Sequence, residues 1–232
     1  MTFAVAALNE EGLVAEFVTE AHKTVSSCLE TFDFILVNDG STDETGAIMD
    51  QLSQRLSRTS VLHNTQNIGL GASYKRALEH AGYDHFMLLC GDGGLPAESL
   101  PAIIREIGKA DMVLPYMTNL RKLKTTPRYL LSRAYTALLN TLFGLDVRYY
   151  NGLPVHRVDL LRKLDITSEG FGYQAEIIIK LIRSGHSYTQ VGVKGAERSG
   201  GSRALNSKNI VGVTRMFANL LRNRGSKTDG TR

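Results

Sequence analysis

The stretch Phe86-Met-Leu-Leu-Cys-Gly-Asp92 constrains this chain more than any other. Five apolar residues run straight into a glycine and a carboxylate, and Gly93, Gly94 and Pro96 follow. An unbroken apolar run closed by turn residues reads as a strand buried on both faces of a sheet. The glycines let the backbone turn sharply and approach a ligand closely. Asp92 is therefore expected at the carboxyl end of a central strand, where open α/β sheets form their ligand crevice. A carboxylate there suits a divalent ion, and through the ion a diphosphate. Taken alone, it suits equally well the capping of a helix that starts near Pro96.

The flanking pattern supports a sheet of this kind. Apolar strands are expected over Thr2–Leu8, Phe32–Val37, Val61–His63, Phe86–Cys90 and Met112–Leu114. Helices are expected from Gly12 to Leu29, after Asp43 through Arg55, from Asn67 to Ala81 and from Glu98 to Ile107. Asn9 reads as the N-cap of the first helix. Alternation of strand and helix over residues 2–114 implies a parallel, doubly wound α/β sheet with helices on both faces. Polar and glycine-rich turns follow the first, second and fourth strands, so they share one edge. The second half is less regular. A basic loop, Tyr116–Arg133, leads into a helix, Tyr129–Phe143, followed by a strand at Asn151–His156, a helix at Tyr173–Ser184 and a strand at Ser187–Val193. A polar loop, Glu197–Asn206, and an amphipathic helix, Asn209–Leu221, close the chain. The economical division is one catalytic-sized domain over 1–206, with halves 1–115 and 116–206, and a helix with a basic tail over 207–232.

Composition narrows the classes. The 232 residues are 43% hydrophobic, enough for a real core. Cys28 and Cys90 are too few for a disulfide framework and suggest a reducing, cytoplasmic setting. The six histidines lack ligand-like spacing, which argues against zinc. No apolar run approaches the roughly 20 residues that span a bilayer, and the N-terminus enters a strand at once, leaving no room for a signal peptide. The net charge of +4 is unevenly placed: residues 194–232 hold nine Lys/Arg against two acids, while the remainder is slightly acidic. That segment suits phosphate or an anionic membrane. It lacks the interleaved aromatic platform that single-stranded nucleic acid needs, so nucleic acid is not an expected partner.

Four stretches, taken together, resemble the family 2 glycosyltransferases, in particular the polyprenyl-phosphate mannose and glucose synthase branch. They are Ala4-Val-Ala-Ala-Leu-Asn-Glu-Glu11, Ile35-Leu-Val-Asn-Asp-Gly-Ser-Thr-Asp43, Asn67-Ile-Gly-Leu-Gly-Ala72 and Cys90-Gly-Asp92, the last standing where the family has its Asp-x-Asp metal motif. Asn151-Gly152 and Arg198-Ser-Gly-Gly-Ser-Arg203 occupy the places of two further family segments. The resemblance spans about residues 3–205 and implies a GT-A type, Rossmann-like fold. The chain departs from the family at Cys90, at Leu70 (a lysine there), at Pro115-Tyr-Met117 (Gly-Ser-Arg) and near Arg148 or Tyr149 (an aspartate).

The resemblance implies an inverting sugar transfer from a UDP- or GDP-linked donor, with Mg²⁺ or Mn²⁺, to a polyprenyl phosphate. A soluble acceptor, or nucleotide-sugar binding without transfer, are the alternatives. Asp92 is the expected metal ligand; Cys90 suits such hard ions poorly. Asp39 is expected at the nucleotide, or else as a cap of the following helix. The backbone of Ala6, Ala7 and Leu8, with Glu10, is expected to form the other wall of that site, with Gly91 also at the nucleotide; Glu10 reads equally well as an acid at a helix N-terminus. Asn67, Gly69 and Gly71 would let the third helix start close to the ligand. Glu176 is either a general base or acceptor-positioning group, or an exposed acid in a helix first turn. Arg128, Arg198, Ser202 and Arg203 are the candidates for phosphate or acceptor. Peripheral membrane contact follows from such an acceptor, and a homodimer stays open.

Overall fold

The computed structural model describes residues 1–170 and 172–196. The expected loop at Glu197–Asn206 and helix at Asn209–Leu221, with Arg198, Ser202 and Arg203, lie outside the described residues.

The chain runs β1 (Thr2–Ala7), α1 (Val14–Cys28), β2 (Asp33–Asn38), α2 (Thr45–Arg55), β3 (Thr59–His63), α3 (Leu70–Glu79) and β4 (His85–Cys90). A single 3-10 turn at Ala97–Ser99 leads into α4 (Leu100–Ile104), followed by β5 (Met112–Met117), α5 (Leu120–Leu123) and α6 (Thr126–Phe143). β6 (Val155–Arg157), α7 (Val158–Leu161), α8 (Tyr173–Arg183) and β7 (Tyr188–Val193) complete it. The sheet order is β3-β2-β1-β4-β6-β5-β7.

The apolar runs alternate sides as a two-faced sheet requires. Phe3, Val5 and Ala7 of β1, Phe34 and Leu36 of β2, and Met87 and Leu89 of β4 face one core, with α1, α2 and α4. Ala4, Ala6, Ile35, Val37, Phe86 and Leu88 face the other, with α3, α7 and α8. This is why the middles of β1, β2 and β4 are apolar on both faces. β1 pairs in parallel with β2 and β4, and the register sets Ala7 opposite Asn38 and Ala6 opposite Cys90. The three polar turns therefore leave the sheet side by side.

Four sequence expectations are corrected. β6 is only three residues long and runs antiparallel between β4 and β5, so the parallel order breaks there. The stretch read as a basic loop is the end of β5, then α5 and the first turns of α6. The helix expected to Ile107 ends at Ile104, just before Gly108 at φ +88°. Asn9 does not cap α1, whose N-cap is Leu13 without a side-chain bond. Asn9 sits at φ +53°, and its amide oxygen accepts instead from the Thr42 N–H at 2.8 Å.

The insertion of β6 buries a histidine. His156 is 1% exposed; its Nδ1 is 3.4 Å from the Tyr74 hydroxyl and its Nε2 has no partner. Burial pushes the His156 imidazole down to about 3 from 6.5. Between these values the unfolded chain binds a proton that the folded chain refuses. Stability from this residue is thus complete above 6.5 and falls as pH drops toward 3, with a slope of up to about 1.4 kcal/mol per pH unit. Urea midpoints across this range should show the slope in the wild type and lose most of it in His156→Gln. Equal slopes in the two proteins would assign the acid sensitivity elsewhere.

Candidate functional site

The carboxyl ends of β1, β2 and β4 are stitched together by main chain. The Gly91 N–H donates to the Ala6 carbonyl at 2.9 Å, and the Asp39 N–H donates to the Ala7 carbonyl at 2.9 Å. Ala6 and Ala7 are buried, so their backbone is the fixed reference from which Asp39 and Gly91 are hung. A Cβ on Gly91 would stand 2.8 Å from the Ala7 Cβ, closer than such atoms approach. Glycine is thus required there for β4 to deliver Asp92 beside β1.

The turns after β1 and β2 interlock. The Asn9 N–H donates to Ser41 Oγ at 3.0 Å, the Glu10 N–H to Thr45 Oγ1 at 2.8 Å, and the Glu44 N–H to Glu11 Oε2 at 2.9 Å. Asn38 Oδ1 accepts from the Ser41 N–H at 2.9 Å and closes its own turn. Asp43, not Asp39, meets the start of α2: its Oδ1 accepts from the Thr45 N–H at 3.0 Å. The Asn-Asp-Gly-Ser-Thr-Asp stretch is therefore a rigid wall, built from hydroxyls and carboxylates that satisfy main-chain donors.

Asp39 is buried and reaches across the crevice floor rather than along its own turn. Its Oδ1 accepts from Asn64 Nδ2 at 2.8 Å and from the Ile68 N–H at 3.0 Å, and its Oδ2 from the Gly69 N–H at 3.1 Å. It ties the β3–α3 loop to the end of β2. The amides of Gly71 and Ala72 donate to the Glu169 carbonyl at 2.8 and 3.2 Å. The N-terminal amides of α3 are thus held by protein groups. Gly71 is needed for packing: a Cβ would lie 2.7 Å from the Ser168 carbonyl oxygen. Gly69 and Gly71 thus let α3 start close against the 168–169 backbone. Asn67 is exposed, and its Oδ1 accepts from the Gly69 N–H at 3.0 Å.

Glu176 is neither exposed nor open to the crevice. It is 1% exposed. Its Oε1 accepts from the Thr167 N–H at 3.0 Å, Thr167 Oγ1 at 2.9 Å and Lys180 Nζ at 2.6 Å, and its Oε2 from the Ser168 N–H at 2.8 Å. Burial pushes this carboxyl up, but the Lys180, Ser168 and Thr167 donors outweigh it and hold it below the ordinary value. A carboxylate so placed is a weak base. It pins the 167–169 loop, whose Glu169 carbonyl in turn caps α3. Its burial overturns the exposed first-turn acid read from the sequence.

Asp92 is half-buried at the tip of β4, and its Oδ1 accepts from the Gly94 N–H at 3.0 Å. Among the described residues, no group of three or more His, Cys, Asp and Glu side chains could hold a metal ion. The donor set fits a hard ion held by Asp92 together with oxygens from a ligand and water, since Mg²⁺ keeps several waters and uses one or two carboxylates. It does not fit an ion held by protein alone. The Gly94 carbonyl accepts from the Ala196 N–H at 3.2 Å, and Asn119 clamps Gly195 through both ends of its amide, at 2.8 and 3.0 Å. The end of β7 is thereby brought to the Asp92 turn, a contact with no signal in the sequence.

A basic and aromatic cluster borders the same edge. Arg148 donates to the Tyr116 hydroxyl at 2.6 Å and lies 4.7 Å over its ring. Lys124 Nζ is 3.1 Å from Ser132 Oγ and 3.4 Å from the Tyr149 hydroxyl. Arg128 is exposed in the first turn of α6. Gly152, next in line, abuts Pro115 so closely that a Cβ would overlap the Pro115 carbonyl oxygen. A cleft of about 830 Å³ opens at the opposite end of the sheet, beside Asp84, His85 and Asp111. Its Arg157 is paired with Asp111 at 3.1 Å and Asp159 at 2.8 Å. It is remote from the strand ends described above, so we place the site at those ends.

Residues 2–167 match the family model described as Glycosyl transferase family 2. The chain is 29% identical over 202 residues to an undecaprenyl-phosphate mannosyltransferase of Micrococcus luteus, covering 79% of this chain and 81% of that protein. It is 27% identical over 189 residues to a polyprenol monophosphomannose synthase of Mycolicibacterium smegmatis, covering 76% and 71%. Among solved structures, glucosyl-3-phosphoglycerate synthase of Mycobacterium tuberculosis with Mn²⁺, UDP-glucose and phosphoglyceric acid superposes with a TM-score of 0.72 at 21% identity, over 99% of this chain and 81% of that one. The same enzyme with Mg²⁺ and UDP gives 0.70 at 20% identity, over 99% and 80%. These superpositions establish the fold.

Proposed function

The chain belongs to glycosyl transferase family 2, and from that premise we propose that it moves a sugar, with inversion, from a UDP- or GDP-linked donor to a polyprenyl phosphate, with Mg²⁺ or Mn²⁺. The observation that carries this reading is the placement of Asp92. It stands at the crevice end of a central strand, one residue past a glycine hydrogen-bonded to β1. The two mannosyltransferase relatives support the acceptor class, and the solved relative crystallised with Mn²⁺ or Mg²⁺ supports the ion.

In this reading the interlocked turns of β1 and β2, with Leu8, Glu10 and the Asp39-braced loop, receive the nucleoside. Asp92 would hold the ion together with oxygens of the donor diphosphate and water. When bound, the ion would supply positive charge to stabilise the departing nucleoside diphosphate. The acceptor phosphate is already ionised, so no strong base is required. That fits a site whose buried glutamate is tied up by four donors. Arg128 and the cations around Lys124 and Arg148 face the acceptor with charge opposite to its own. Arg198, Ser202 and Arg203 remain proposed phosphate contacts.

The test is transfer from labelled GDP-mannose and UDP-glucose to detergent-dispersed undecaprenyl phosphate, with and without EDTA. Label should move to the organic phase only with lipid phosphate and divalent ion. Transfer solely to water-soluble products would replace the acceptor. Saturable nucleotide binding without turnover would leave a binding protein.

A further inference from the structure

Resting on the reading that the turns after β1 and β2 receive the nucleoside, we propose that His63 is a positioning residue for that site. Neutral, with its proton on Nε2, it holds the Asn38 amide in the orientation that closes the β2 turn; protonated, it releases that turn. The register sets His63, the last residue of β3, directly opposite Asn38, the last residue of β2. Residues so paired present their side chains to each other, and Asn38 Nδ2 lies 3.1 Å from His63 Nδ1. On the far side of the ring, His63 Nε2 is 3.0 Å from Asp50 Oδ1 on α2. A relay thus runs from an exposed carboxylate, through an imidazole, to a buried amide.

Main chain settles which atoms donate. The Ser41 N–H can only donate, and it lies 2.9 Å from Asn38 Oδ1. Asn38 therefore turns its NH2 toward His63, so Nδ1 accepts and bears no proton. The ring proton then sits on Nε2 and is donated to Asp50. Gly46 of α2 makes room for this arrangement, since a Cβ there would stand 2.7 Å from Asn38 Nδ2. The charged groups bonded to His63 are Asp50 and, from α3, Arg76, which donates to the His63 carbonyl at 2.7 Å and also to Asn64 Oδ1.

A proton on Nδ1 breaks the relay. It would face the Asn38 NH2, donor against donor. Turning the amide over would restore that contact but set the NH2 against the Ser41 N–H. Either way one hydrogen bond is lost, and the amide is no longer held from both ends. The site depends on that amide, because Ser41 Oγ accepts from the Asn9 N–H at 3.0 Å and Asn9 Oδ1 accepts from the Thr42 N–H at 2.8 Å. Those contacts join the two turns. His63 therefore acts on the nucleotide through Asn38, as an acid-sensitive latch on its wall.

The experiment is calorimetric titration of the full chain with UDP and with GDP, each with Mn²⁺, at about pH 8 and about pH 5.5, on the two sides of ordinary imidazole titration. Wild-type affinity should fall on acidification about threefold to tenfold further than that of His63→Gln. The glutamine Oε1 can accept from Asn38 and carries no titrating proton. Protonation of the nucleotide phosphate and of His156 acts on both proteins and cancels in the comparison. Long-range ¹H–¹⁵N spectra at the higher pH should show the His63 proton on Nε2. An equal fall in the two proteins, or a proton on Nδ1, would overturn the proposal and leave the nucleotide reading in place. Wild-type protein that binds neither nucleotide would overturn both.

Discussion

Asp92→Ala is expected to lower kcat by about two to three orders of magnitude, the usual cost of removing one group that stabilises developing charge. The effect should be large because no described cluster of other ligands stands ready to replace it. Calorimetry should show the gain in nucleoside diphosphate affinity on adding Mn²⁺ disappearing in the variant, which separates loss of the ion from loss of the nucleotide. The melting temperature should move little, since Asp92 is half-buried on a turn and the strand beneath it keeps its apolar faces. Near-normal turnover in Asp92→Ala would remove the metal role. Cys90→Asp is the companion: it adds a hard oxygen donor two residues away and should tighten Mn²⁺ in the presence of nucleotide.

Glu176→Ala should lower stability by about 2–4 kcal/mol. It strands the Thr167 and Ser168 main-chain donors and removes the carboxylate partner of Lys180, which keeps its bond to the Asp165 carbonyl and, with its side chain 19% exposed, recovers part of the loss in water. Because Glu169 caps α3, loosening should spread to the nucleotide side. Glu176→Gln discriminates between roles. As a pin, it loses stability in denaturant melts yet turns over at a comparable rate well below its midpoint. As a general base, it would keep its stability and lose turnover by a factor of about 100 or more.

Much of the architecture was legible because it rests on local pattern. Uninterrupted apolar runs at β1, β2 and β4 can be satisfied only by burial on both faces, and polar turns after them must then share an edge. The family likeness rests on those same turns. The hydrogen-bond partners of Asp39 and Glu176 were not legible. Asp39 reaches main-chain donors at Ile68 and Gly69, about thirty positions away, and Glu176 holds a loop that closes on another helix. Acids near helix starts look alike in sequence whether they meet solvent, ligand or a distant backbone.

By itself, then, the sequence determined the strands β1, β2 and β4, the helices that flank them and the edge shared by their polar turns, since these follow from side-chain periodicity and turn chemistry within a few residues. Only the tertiary structure decided that β6 enters antiparallel and buries His156, that Gly71 of α3 packs on the 168–169 backbone, and that Leu130, Leu131 and Leu138 lie open to solvent. A leucine on an amphipathic helix reads the same whether or not something covers it. Its fate depends on which side of the helix the rest of the fold occupies, and that is settled by contacts between segments far apart in the chain.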